Sequence, residues 1–543
     1  MPIVEELPAH APVLIVGGGP VGLSCAVELA HHGVASLVIE RRPEVSHLRP
    51  RAKTTSARTM EHFRRWGIAG QIRRRAGLPV EWSDAAVFCT ALTGREITRI
   101  TGCFGLDLTG SELVAEAGQQ VAQPVVEEVL REKLAASAVA GLALGVQATA
   151  AGQDAGQGWV EVVDQAGRKR RVTADWVIGC EGARSVVREA LGSRYDVLDE
   201  GRPNFSIVFR SSDLADLVRH GPAVHYWVLS ASQPGLIGRF DLVDTWWCGA
   251  NGVDLGAAPA DPQAIIRNLV GTDVTADVLS TDSWQARTAL ADRWGSGRLF
   301  IAGDAAHQNP PWGGHGFNTG IGDAANLGWK LAAVINQWAP ASLLASYELE
   351  RRPVAAQTID EAVRNMSSLA PELAAVLRAD GGDQPEATWQ AAADAIRRTK
   401  DGEFHSLGLT LGYRYDSSPV IDGARPSRPA ANDTYRPDSA PGGRLPHFRI
   451  DGQSLYDRLG REFSLVADPG RPAVDAFVKA AAALGVPLEV VGLDPADCAA
   501  RLGAGLVLVR PDQHVAWRGD QADDPEQILR TVTGGAPSPL AAS

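Results

Sequence analysis

Apolar runs that stop abruptly at glycine mark out the first elements of this chain. Residues 12–16, PVLIV, end at Gly17, Gly18 and Gly19, and residues 36–40, SLVIE, form a second run of the same kind. Short apolar runs bounded by turn signals predict strands buried on both faces. Between them, PVGLSCAVELAHHG predicts an amphipathic helix ending near Gly33. The same order of apolar strand, glycine turn and helix start returns in ADWVIGCEGARSVVREALG at 174–192. It appears a third time where GRLFI, 297–301, leads into GDAAHQNPPWGGHGFNTGIGDAANLGWKLAAV, 303–334. Apolar positions Ile321, Ala324, Ala325, Leu327, Leu331 and Val334 predict a helix with one buried face. In 195–284 the pattern changes: HYWVLSAS, LIGRFDL and DTWWCGA are short aromatic and β-branched runs with Gly, Pro and Asp between them, the pattern of a β-sheet. Strand, helix and strand alternate again after a Pro/Gly/Asp-rich stretch, from about Pro441 onward.

The glycine turns carry the chemistry. Gly17, Gly19 and Gly22 have GxGxxG spacing, with Pro20 and Val21 opening the helix. The first glycine makes the turn, the second admits a pyrophosphate and the third lets helix and strand pack closely. Glu40 ends the second strand, where a carboxylate bonds an adenosine ribose. These features predict a dinucleotide site and do not by themselves separate FAD from NAD. In the third turn Asp304 is placed to accept from a hydroxyl. Pro311, Gly314 and Gly316 let backbone N–H groups of a helix start, through Phe317 and Asn318, approach an anionic or polar group.

Composition narrows the class. The chain has 543 residues, enough for about three domains. Its net charge of -12 argues against nucleic acid and anionic membrane surfaces as partners. No apolar stretch approaches a membrane span and the acidic start does not resemble a signal peptide, so a cytoplasmic protein is expected. The six cysteines are scattered, with no CxxC and no Cys/His cluster, so neither zinc nor a disulfide framework is indicated.

Taken together, GDAAH, PP, GG, GFN and D..NL.WKLA resemble the flavin-binding motif of the class A FAD-dependent aromatic hydroxylases, the p-hydroxybenzoate, phenol and polyketide hydroxylase group. The segments RTME..R.WG at 58–67 and Y..ERRP at 347–353 add to the resemblance. It implies an α/β fold: a Rossmann-like FAD-binding domain with an inserted β-sheet substrate domain and a C-terminal thioredoxin-like α/β domain. FAD binding falls to 1–77, 101–194 and 285–405, the substrate domain to 78–100 and 195–284, a linker to 406–440 and the thioredoxin-like domain to 441–543. In such a family Asp304 holds a ribityl hydroxyl and Glu40 the ribose. Arg41, Arg49 and Arg51 meet the pyrophosphate with Gln123, and Glu181 and Gly182 stand where relatives carry an Asp-Gly pair between the FAD and NAD(P)H sites. Glutamate there keeps the charge but displaces it.

The resemblance also implies the reaction. NADH or NADPH, docking transiently, reduces FAD; O2 adds at carbon 4a of the flavin, and the distal peroxide oxygen passes to an electron-rich phenolic or polycyclic aromatic, a polyketide-derived one included. No single residue stands out as catalytic, the flavin carrying the chemistry, with Pro311, His315 and Gly316 nearest it. His225, Trp227, Arg239, Trp246 and Trp312 are the candidates for the substrate pocket. A Baeyer–Villiger insertion or another oxidation on the same scaffold, or flavin binding without turnover, are the alternatives. With only Cys498 in it, the C-terminal domain is expected to serve packing or homodimer contacts.

Overall fold

Strand His10–Val16 sits between Ser36–Glu40 and Lys169–Gly179 and runs parallel to both. Leu299–Ile301 continues the parallel set beyond Lys169–Gly179, and Ala140–Leu144 continues it beyond Ser36–Glu40. Val13, Leu14, Ile15, Val38, Val177 and Ile178 are fully buried, as strands covered on both faces require. All four turns rich in candidate residues therefore leave one edge of one sheet in the order Glu40, Gly17, Glu181, Asp304. Backbone bonds stitch the turns together: Gly17 N donates to Ile39 O, Cys180 N to Val16 O, and Ala302 N to Gly179 O. This computed structural model describes residues 6–48, 53–201, 203–230, 234–251, 261–367, 385–423 and 431–535, so Arg49 and Arg51 lie outside the described residues.

The helix His315–Ile335 departs from the expectation of one buried face. Every residue from Thr319 to Ala333 is buried, the polar Asp323, Asn326 and Lys330 included. One side packs on Pro20–His31, where Gly328 approaches Glu28 so closely that a Cβ would lie 2.5 Å from Glu28 Cγ. The opposite side is covered by the C-terminal unit, with Trp329 stacked on Trp338 and edge-on to Phe463. Periodicity alone does not show a second cover supplied from more than a hundred residues downstream.

A seven-stranded sheet stands apart from the parallel one, in the order Asp277–Gln285, Pro203–Arg210, Thr245–Asn251, Gly235–Arg239, His225–Val228, Ala86–Cys89, Glu96–Ile100. Tyr195–Asp199 belongs instead to a three-stranded sheet with Thr288–Ala291 and His307–Gln308. The C-terminal unit is a four-stranded sheet, Leu488–Gly492 parallel to Phe463–Ala467, followed antiparallel by Leu506–Val509 and Val515–Gly519. Helices Pro472–Leu484 and Pro525–Val532 pack on it. Among the described residues of the stretch preceding it are the short helix Leu407–Leu411 and the buried Tyr415, Val420 and Ile421. Among the described residues no helix is long and apolar enough to cross a membrane.

Candidate active site

Three glycines do different work in the first turn. Gly17 has a left-handed φ of 103°, and a Cβ there would lie 2.6 Å from the Cys180 backbone. A Cβ on Gly22 would lie 1.9 Å from Gly17 O, so only glycine lets the helix Pro20–His31 sit on its strand. At Gly19 a Cβ would meet nothing within 4 Å. The helix start therefore faces open space, which is what an approaching pyrophosphate needs.

Glu40 is buried, and its Oε2 accepts from Gly18 N at 2.7 Å while its Oε1 accepts from Arg42 N and Nε. Arg42, rather than the expected Arg41, is the arginine of this pair; Arg41 is exposed. The strand stops at Glu40, and the bend at Arg41 turns Arg42 back so that its N and Nε reach the Glu40 carboxylate. Gln123, at the start of helix Gln123–Ala135, donates to Glu127 Oε1, and Glu127 Oε2 lies 3.9 Å from Arg42. Burial raises the Glu127 carboxyl above its ordinary range. Arg131 joins this cluster with two buried guanidinium nitrogens, Nε and Nη2, that have no protein partner. Sequence spacing singles out neither Arg42 nor Arg131.

Glu181 folds back on its own chain. Its Oε1 accepts from Val187 N at the start of helix Val186–Ala190, while Oε2 is buried without a partner. Burial lifts its carboxyl to about 7. The neighbouring Gly182, with φ of 85°, has open space where a Cβ would be. At this turn the open approach is thus along the Gly182 backbone.

Asp304 is exposed at the third turn, on a backbone held from behind. Tyr195 Oη donates to Asp304 O at 2.6 Å, and Gly303 N donates to the buried Asp323. Asp323 also lies 2.9 Å from His307 Nε2 and accepts from Arg351 Nε. Burial opposes charge on all three, but Arg351 and His307 hold the Asp323 carboxyl below its usual range, and Asp323 holds His307 above its own. A rigid brace thus fixes where Asp304 points. We expect Asp304→Ala to keep the fold and to weaken FAD binding by roughly tenfold, about 1.5 kcal/mol for one hydrogen bond to a charged group. FAD titration against flavin fluorescence measures it, and wild-type affinity would remove the assigned ribityl contact.

The start of His315–Ile335 is built by two left-handed glycines, Gly313 and Gly314. Gly314 N bonds Pro311 O and turns the chain so that the first N–H groups of the helix, which have no intrahelical partner, point back toward the turn. Asn318 uses its side chain structurally: Oδ1 accepts from Ser56 N and Thr59 Oγ1, and Nδ2 donates to Thr54 O and Gly314 O. As the fourth residue of the helix it also spends its backbone N–H within the helix, so the N–H groups left for a cofactor are those of His315, Gly316 and Phe317, the last half-buried against the main core. His315 is buried with Nε2 unpartnered, and burial lowers its pKa to about 4, so it is a neutral ring at neutral pH. It borders a hollow with Thr54, Ser56, Phe104, Gly313 and Asn318. Phe104 is held at a left-handed φ of 60°, a strained conformation of the kind that collects at functional sites.

Alternation divides the five pocket candidates. His225 and Trp227 face Phe104 and Phe404, and Trp312 packs into the same cluster as Trp227. Trp246 points the other way, buried with Ile265, Ile266 and Leu269 behind the sheet. Arg239 pairs with it in register, lies over its ring and donates to Asp241 O and Val243 O. Both are thereby removed from the pocket, because strand neighbours alternate faces. Trp247, one residue on, takes the inner place, 6.4 Å from His225.

Open space at Gly19 and Gly182, an anchored acid beside an arginine and an exposed Asp304 on a braced turn fit an extended dinucleotide. Comparison with known proteins agrees. Residues 10–362 match the profile of the FAD binding domain, and residues 438–536 that of the aromatic-ring hydroxylase C-terminal region. The chain is 32% identical to 4-methyl-5-nitrocatechol 5-monooxygenase of a Burkholderia species over 96% of each chain. It is 32% identical to tetracenomycin B2 monooxygenase-dioxygenase of Streptomyces olivaceus, over 96% of this chain and 97% of that one. The solved structure of the rebeccamycin biosynthetic enzyme RebC with reduced flavin superposes with a TM-score of 0.88 at 34% identity, covering 98% of this chain and all of that one. This chain belongs to the FAD-dependent aromatic-ring hydroxylases. It is a flavin monooxygenase, with FAD as cofactor and O2 and a reduced nicotinamide as co-substrates.

Proposed function

We propose that the chain hydroxylates a phenolic, polycyclic substrate of polyketide type, using NADH or NADPH, in the cytoplasm. The observation that carries this reading is the aromatic box on the inner sheet face: His225, Trp227 and Trp247 with Phe104 and Phe404, their ring centroids about 5–7 Å apart. Three of its polar atoms, His225 Nε2, Trp227 Nε1 and Trp247 Nε1, are buried without partners. Buried donors and acceptors normally have partners, so their presence in one box supports a polar aromatic guest. The free, dispersed and mostly buried cysteines accord with a reducing compartment. Likeness to a putative polyketide hydroxylase of Streptomyces halstedii, 31% identical over 96% of each chain, supports a polyketide-type guest, and the nitrocatechol relative supports a phenolic one.

The protein residues divide the work. Glu40 and Arg42 would hold the adenosine end, and Asp304 would hold the ribityl chain. The first N–H groups of His315–Ile335 would stabilise negative charge on the reduced isoalloxazine. Bound there, FAD supplies hydride acceptance and oxygen activation, and the chain orients the ring and excludes water. The test is a screen of phenols and hydroxyquinones with the FAD-loaded protein, following NAD(P)H oxidation and product mass. Polycyclic phenols should accelerate oxidation and gain one oxygen. Oxygen inserted beside a ketone carbonyl to give an ester instead, or no acceleration by any phenol, refutes the reading.

A further inference from the structure

Lys53 directly precedes the short strand Thr54–Thr55 and reaches across to the seven-stranded sheet. Its Nζ donates to the backbone carbonyls of Val224, beside His225, and Arg239, the latter at 3.2 Å. It lies 5.3 Å from the ring centre of Trp247, a wall of the aromatic box. Thr54 borders the hollow at the start of His315–Ile335. Lys53 is therefore one residue from the region assigned to the flavin and in contact with the region assigned to the substrate.

Among the described residues no carboxylate forms an ion pair with Lys53. His225, close enough to feel the Lys53 charge, is held neutral by burial and by Lys53, its pKa about 3. The guanidinium of Arg239 is on the opposite sheet face. Lys400, over the Trp227 ring, pairs with Glu403. Burial alone brings the Lys53 ammonium down to about 7. At neutral pH a large share of the enzyme then carries a neutral amine at this position. A neutral amine has two N–H groups and one lone pair. Two carbonyls occupy the two donors.

We propose that Lys53 is the base that deprotonates the substrate phenol and then the counter-ion of the phenolate. The phenol O–H bond breaks with its electron pair left on oxygen, and the proton forms the third N–H bond of the Lys53 ammonium. The ring becomes electron-rich beside the cationic group that neutralises it, and the proton returns to the hydroxylated product's oxygen on release. This inference rests on the aromatic-hydroxylase reading and deepens it, since it selects substrates with an ionisable hydroxyl.

The test takes the FAD-loaded full chain and the phenol or hydroxyquinone that most accelerates NAD(P)H oxidation in the wild type. Wild-type kcat/KM should rise through a limb near neutral pH, because the base must be unprotonated. Lys53→Met should lower the plateau by about 100-fold, the lower range for general base catalysis. The limb should move up to the ionisation of the phenol itself. Lys53→Arg keeps a cation and donors for the carbonyls but cannot accept a proton, and it should show the same displaced limb. Bound FAD, read from the visible spectrum, should match the wild type in both, which separates a chemical role from a lost tie between loop and sheet. A wild-type limb retained in either variant overturns the assignment while leaving the hydroxylase reading intact. A wild type that no phenol accelerates overturns both.

Discussion

Gly22→Ala should yield a protein that purifies without FAD. The added Cβ would lie 1.9 Å from Gly17 O and 3.1 Å from Gly17 C, both backbone atoms of the turn itself. Neither can swing aside as a flexible side chain would, so the helix Pro20–His31 must lift from its strand. Forced overpacking costs about 1–3 kcal/mol. Because the displaced element is the one whose N-terminus meets the pyrophosphate, most of that should appear as weaker FAD binding, about 100-fold. Titrating the apoprotein with FAD measures it. Gly19→Ala is the control: its Cβ meets no protein atom within 4 Å, so the apoprotein should melt like the wild type while its FAD affinity falls. Wild-type FAD affinity in Gly22→Ala would mean that the turn is not where the cofactor binds.

The parallel sheet and its turns were legible because their signal is local. An apolar run, a glycine and an amphipathic helix occupy about thirty consecutive residues, and each glycine's role follows from its place in the turn. Which arginine joins Glu40 was not legible, since the strand stops at Glu40 and the bend after it, rather than strand alternation, brings Arg42 back to the carboxylate. The sheet was harder to read. In DTWWCGA both tryptophans are apolar, so no alternation shows which faces inward, and the register with Gly235–Arg239 decides for Trp247. Lys53 gave no signal at all. A lone lysine beside a basic segment reads as solvated, and only the tertiary approach of two carbonyls from distant strands makes it otherwise.

The same limit hides the polar seam under the C-terminal unit, where the largest stability effect is expected. Glu350 is fully buried and accepts from both Nη atoms of Arg510, at 2.7 and 2.8 Å, from Lys330 Nζ, Asn326 Nδ2 and Ser418 Oγ. Burial works against its charge, yet Arg510 and Lys330 hold its carboxyl at about 2. Arg510 comes from the C-terminal unit, Lys330 from the helix that starts beside the flavin-side turn, and Glu350 from Ser346–Ser367, so one carboxylate joins three elements. Glu350→Gln keeps the shape and removes the charge. Arg510 retains Asp512, but Lys330 is left as a buried ammonium without an ion pair. Breaking a buried pair from one side costs about 3–5 kcal/mol. The loss should fall at the seam, with urea unfolding separating into two transitions and protease cutting first between the aromatic-hydroxylase body and its C-terminal unit. Adding Lys330→Met to Glu350→Gln removes the orphaned ammonium and should recover part of the loss. If the double variant is as unstable as Glu350→Gln, or the single variant unfolds at the wild-type urea midpoint, the seam does not hold the two units together.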